Sequence, residues 1–183
     1  MMKTTELLDR KDTALVVVDV QQLLIPTIFD SDKMVHEIKR LLSFADVIGM
    51  DAVHAEQIKL GTTVEPLAEL MGDRQPYLKS SFGCFGNEEF AARVESFGVK
   101  NLILTGMETH VCVMQTAMQA LARGYRVQVA LDAVSSSTPL KKEVGLKRMS
   151  DAGVEITCAE SLIFELLGRA GTDEFRACLP IIK

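Results

Sequence analysis

Residues Thr13 to Asp19 read TALVVVD, an unbroken apolar run that closes on a carboxylate. Such a run is too short and too rich in β-branched residues for a surface helix, and it has no polar face to show to water. It reads as a strand buried on both faces, which demands covering layers on both sides and favours a parallel sheet. The rest of the chain supplies the other strands and the covers. Met34, Ile38, Leu41, Leu42, Ala45 and Ile48 recur at helical intervals, with Ser31 or Asp32 as the expected cap and Gly49 as the stop. Asp51 to Glu56 reads as a second strand, Leu67 to Met71 as a short helix, and Tyr77 to Lys79 as a short third strand. Asn87 caps a predicted helix through Phe97. NLILT at 101–105 is a fourth strand, Thr109 to Arg123 a helix with Thr109 as cap, and Arg126 to Asp132 a fifth strand. Pro139 opens a helix through Asp151, Val154 to Thr157 is a sixth strand, and helices follow at Glu160 to Leu167 and near Thr172 to Leu179. Strand and helix alternating in this way predict an α/β chain, a parallel sheet with helices on both faces joined by right-handed crossovers.

No linker, repeat or low-complexity tract interrupts the 183 residues, so one domain over 1–183 is expected. The net charge of −5, without a basic stripe, disfavours nucleic acid as a partner. No apolar run is long enough for a membrane span. The segment MMKTTELLDRKDTA lacks the apolar core of an export signal, so a cytoplasmic location is expected. Cys84, Cys112, Cys158 and Cys178 show neither CxxC pairing nor metal-type spacing, and free thiols are expected.

In a parallel α/β sheet, chemistry collects at the carboxyl ends of the strands. Asp19 ends the first predicted strand, Lys79 ends the third, and Cys112 follows the fourth across the turn GMETHVC. Taken singly, each has an ordinary structural explanation: a turn aspartate, a solvated lysine, a small buried thiol. Together at one sheet edge they make a nucleophile set. The helix start and Lys79 are expected to favour a Cys112 thiolate, while Asp19 carries the proton. The N–H groups of Cys112 and Glu108 are candidate oxyanion donors. Such parts would perform acyl transfer through a thioester.

These pieces, VVVDVQ at 16–21, the Lys79-Ser80-Ser81-Phe82 segment and GMETHVCVMQTA at 106–117, resemble the isochorismatase-like cysteine hydrolase superfamily, which includes nicotinamidases and N-carbamoylsarcosine amidases. HAEQIKLGTTVEPLAEL at 54–70 and GYRVQVALDAVSSS at 124–137 look most like its isochorismatase-domain-containing proteins of unassigned substrate. The resemblance implies a three-layer α-β-α, Rossmann-like sandwich with a six-stranded parallel sheet in the order 3-2-1-4-5-6. It also implies a triad on Asp19, Lys79 and Cys112, a cis peptide at Met107-Glu108, a small amide or related acyl substrate, and a homo-oligomer, dimer or tetramer. Cleavage of isochorismate itself does not use this cysteine, so keeping Cys112 argues against that reaction.

Nicotinamidases of this superfamily hold a metal after the second strand. This chain offers only His54 and Glu56 there, so His54 is read as a strand residue and neither metal nor other cofactor is expected. His110, two residues before Cys112 on a helix, points elsewhere and receives no catalytic role. Gln21, Phe82 and Phe85 are candidate pocket residues, with Cys84 beside them. Two other readings stay open: an oligomeric interaction protein that retains the site, and a thiol redox sensor with Cys84 as a conceivable resolving partner.

Overall fold

The computed structural model describes residues 6–183; Met1 to Thr5, part of the segment read above as no export signal, lie outside the described residues. Six strands form one all-parallel sheet: β1 (Thr13–Val18), β2 (Asp51–Gln57), β3 (Tyr77–Lys79), β4 (Asn101–Met107), β5 (Arg126–Ser135) and β6 (Glu155–Thr157). Their order is β3-β2-β1-β4-β5-β6, as expected. The seven helices are α1 (Ser31–Ile48), α2 (Glu65–Met71), α3 (Glu88–Ser96), α4 (Met114–Ala122), α5 (Pro139–Asp151), α6 (Ala159–Leu167) and α7 (Asp173–Ile182).

β1 lies mid-sheet, and its alternation divides the core. Leu15 and Val17 face one cluster with Ile38, Leu41 and Phe44 of α1, Leu67 of α2 and Leu162 of α6. Ala14, Val16 and Val18 face the other, with Phe90 and Val94 of α3, Ala117 and Ala120 of α4, and Met149 of α5. All six β1 residues are buried, because both layers cover the strand. Fully burying each such side chain contributes about 1.5–3 kcal/mol, so this strand anchors both layers.

Three local expectations are corrected. The α1 cap is Asp30, in the left-handed region and without a side-chain cap bond, instead of Ser31 or Asp32. Second, β4 runs to Met107 and β5 to Ser135, beyond the predicted Thr105 and Asp132. The pairing jumps from Leu104↔Val129 to Gly106↔Val134, so β5 bulges and then re-pairs, which a simple apolar pattern conceals. Third, Thr109 does not cap a helix. A π turn (Thr109–Val113) precedes α4, and the Thr109 hydroxyl donates instead to the carbonyl of Ser135 at 2.9 Å.

At the carboxyl edge the loops after β1, β2 and β3 are fastened to one another. Gln22 N–H donates to Thr62 O at 3.0 Å, Leu23 N–H to Leu60 O at 3.1 Å, and Ile58 N–H to Lys79 O at 3.0 Å. Among the described residues no helix is long and apolar enough to cross a membrane.

Candidate active site

The register brings the strand ends together: Val18 pairs with Ala55 and with Gly106, and Gln57 pairs with Lys79. Asp19 leaves β1 with φ +54°, a left-handed conformation that aspartate tolerates better than most residues. Its N–H stays tied to Ala55 O at 3.0 Å, so the carboxylate is fixed over the sheet edge.

Lys79 Nζ donates to Asp19 Oδ2 at 2.7 Å, and both side chains are inaccessible to solvent. The ammonium has two further close acceptors, Gln57 Oε1 at 2.8 Å and Phe82 O at 2.9 Å, with Ser81 O at 3.3 Å. An ammonium has three N–H groups. All three are taken up within the protein.

Cys112 is carried in by the π turn, itself held from two sides. A Cβ added at Gly106, where φ is +110°, would lie 2.1 Å from Val18 O, so only glycine lets β4 reach the end of β1. A Cβ added at Gly145 of α5 would lie 2.8 Å from His110 Cα, so α5 presses on the backbone of the turn. The Met107-Glu108 peptide bond is cis. Cys112 is buried, 8% exposed, and its thiol senses the charge of the Asp19 carboxylate, whose Oδ1 has no hydrogen-bond partner among the described residues.

The electrostatics correct the expectation of a resting thiolate. Burial, then the negative charge of Asp19, push the Cys112 thiol up to about 12, and Lys79 only partly opposes this. Burial also raises Asp19, with Lys79 holding it down. A thiol raised this far keeps its proton at neutral pH. The Lys79 ammonium is engaged by Asp19, Gln57 and the carbonyls of Ser81 and Phe82.

The remaining sequence-predicted residues fall differently. Gln21 is fully buried. Its Nε2 donates to Gln57 O at 3.0 Å and Gly61 O at 2.6 Å, while its Oε1 accepts from Gln57 N–H at 2.8 Å. Phe85 is a core residue, edge-on to Phe90 at 5.3 Å, with Arg123 over its other side at 4.8 Å. Phe82 is largely exposed beside the Lys79 site, to which its carbonyl belongs. Cys84 is fully buried and pushed up to about 12 by burial. Its N–H donates to Thr116 Oγ1, which in turn donates to Cys112 O. His110 turns toward β5, with Nδ1 3.1 Å from both Glu108 Oε2 and Ser136 Oγ. His54 is buried on β2, and among the described residues no group of three or more His, Cys, Asp or Glu could hold a metal ion. Gln57 was missed in the sequence, because a glutamine at a strand end carries no signal until its partner lysine is placed.

The family profile described as Isochorismatase domain matches residues 13–161, from the first residue of β1 through the start of α6. The chain belongs to the isochorismatase domain family. Isochorismatase domain-containing protein 1 of Salmo salar is 34% identical over 167 residues, 90% of this chain. The chain spans 59% of that relative's length. Among solved structures, MAR1 ribonuclease from Caenorhabditis elegans superposes with a TM-score of 0.88 at 30% identity, covering 97% of this chain and 92% of the other. YcaC from Pseudomonas aeruginosa, solved with hexane-2,5-diol and covalent acrylamide, gives 0.89 at 27% identity over 97% and 92%. Escherichia coli YcaC, described as an octameric hydrolase of unknown specificity, gives 0.91 over 98% and 92%; at 24% identity it speaks for the fold alone.

Proposed function

We propose that this isochorismatase-domain protein is a cysteine hydrolase that cleaves a small amide or related acyl compound, with Asp19, Lys79 and Cys112 as its working groups. One observation carries the reading: a buried thiol that senses the charge of a buried carboxylate, itself paired with a buried ammonium at 2.7 Å. Cys112 Sγ attacks the substrate carbonyl carbon while its proton passes to Asp19, which the missing resting thiolate makes necessary. The N–H groups of Cys112 and Glu108 receive the negative oxygen. Collapse breaks the carbonyl–nitrogen bond, and Asp19 returns the proton to the departing amine. Water, deprotonated by Asp19, then opens the thioester and releases the acid and the free thiol. Lys79 keeps Asp19 ionised and oriented; with its three N–H groups engaged, it does not bind the oxyanion.

The covalent acrylamide of the Pseudomonas relative supports a site receptive to a small thiol-reactive amide. The net charge of −5 argues against RNA as the substrate here, whatever the nematode relative acts on. A homo-oligomer is proposed as well, supported by exposed Phe29, Leu140 and Val144. The test is a screen of small amides, carbamoyl compounds and thioesters with the native protein and Cys112→Ala. Turnover by native protein that falls to the uncatalysed rate in the variant is expected. Equal turnover by both on every active compound would sink the assignment.

A further inference from the structure

Among the described residues Lys79 is the cation inside the site, and what aims it is a chain of two glutamines. Gln57 ends β2 directly opposite Lys79 in the β2–β3 register. Its side-chain amide spans two fixed groups: Nε2 donates to Ser80 O at 3.0 Å, and Oε1 accepts from Lys79 Nζ at 2.8 Å. The carbonyl of Ser80 can only accept, so the donor end of the amide must face it and the oxygen must face the ammonium. The backbone of Gln57 is gripped in turn. Gln21, fully buried at the end of β1, takes Gln57 N–H with its Oε1 and gives its Nε2 to Gln57 O, at 2.8 and 3.0 Å. A side-chain amide thus replaces one rung of the ladder beyond the point where β1 turns away.

We propose that Gln57 is a positioning residue for the reaction proposed above: its side-chain carbonyl holds the Lys79 ammonium against Asp19, from a backbone that Gln21 fixes. The inference rests on that reading of the site and adds a residue to it. Without the Gln57 acceptor, one buried N–H of the ammonium loses its partner and the charge swings toward the carbonyls of Ser81 and Phe82, away from Asp19 and Cys112. Asp19 and the Cys84 and Cys112 thiols are the titratable groups that feel this displacement, since all three sense the lysine charge.

The experiment needs no substrate. Iodoacetamide labelling of Cys112, followed by mass spectrometry at about pH 8, reads the thiolate fraction. Native protein, Gln57→Leu, Lys79→Met and the double variant form a cycle. Gln57→Leu is expected to slow labelling about ten-fold in the native background, equivalent to about one pKa unit, and less than about two-fold when Lys79 is already methionine. Equal slowing in both backgrounds would mean a general packing role and would overturn the proposal, as would no slowing at all. Should Gln57→Leu fail to fold, Gln57→Asn, which keeps an amide but is one methylene too short to span both partners, is put through the same cycle with the same two outcomes. Turnover is scored separately on the compounds of the screen. A coupled labelling effect without any turnover supports Gln57 and tells against the hydrolase reading; turnover without a labelling effect does the reverse.

Discussion

The ammonium of Lys79 and the carboxylate of Asp19 meet at 2.7 Å with neither side chain open to water, sixty residues apart in the chain. A buried pair of this kind is costly to break from one side, because the remaining charge has no solvent to turn to. Lys79→Met should therefore destabilise the fold by about 3–5 kcal/mol, and adding Asp19→Asn to it should return part of that loss. Urea unfolding of the single and double variants measures both. A Lys79→Met protein as stable as the parent would mean that Asp19 is not ionised in the fold.

Asp19→Asn on its own separates reactivity from catalysis. The carboxylate raises the Cys112 thiol, so removing its charge should make the thiol more acidic and speed iodoacetamide labelling about ten-fold near neutral pH. Turnover, which needs a proton carrier, should fall at the same time. In the native protein, labelling should climb with pH through about pH 9 without levelling, as a thiol pushed up to about 12 requires.

Gly145→Ala should strain the contact between α5 and the π turn, since the new methyl would sit 2.8 Å from His110 Cα and His110 N, both backbone atoms. Overpacking of this kind costs about 1–3 kcal/mol. The loss should appear in thermal unfolding, together with altered Cys112 labelling, because the turn that yields carries the thiol. Unchanged values of both would show that α5 can withdraw freely.

His54 supplies a pH signature unrelated to the thiol. It is buried on β2 with Nδ1 unpartnered, and burial, aided by Arg74 and opposed by Glu56, lowers it from 6.5 to about 4. Between those values the unfolded chain takes up a proton that the folded one refuses. Stability is thus complete above about pH 6.5 and should fall by roughly 3 kcal/mol by about pH 4. His54→Leu should flatten that part of the urea-midpoint profile. An equally steep profile in the variant would place the acid sensitivity elsewhere.

Much of this was legible in the chain, and the limits have physical causes. The continuous run at 13–18 announced a strand covered on both faces, the alternation of strands and helices announced a parallel sheet, and the family resemblance implied the strand order. Asp19, Lys79 and Cys112 could be singled out because strand ends are where a parallel sheet places its exposed chemistry. The charge state of Cys112 could not be read this way. It depends on whether the carboxylate or the ammonium is the nearer neighbour, and sequence spacing holds no such distance. Gln21 and Phe85 were singled out by their positions beside Asp19 and Lys79, but the backbone groups that hold the one and the aromatic ring that meets the other carry no signal in the sequence. The π turn escaped for a related reason: Thr109 has the chemistry of a cap, and only the approach of Ser135 redirects its hydroxyl.

The stitching among the segments that follow β1, β2 and β3 makes the first side of the rim a single unit. Rungs from Gln22 to Thr62, Leu23 to Leu60 and Ile58 to Lys79 weld the first side into a plate, so exchanging residues there disturbs the ammonium before it alters what the rim admits. Under the proposed function, selectivity among acyl compounds should then diverge across relatives chiefly on the opposite side, where the π turn meets β5 and α5.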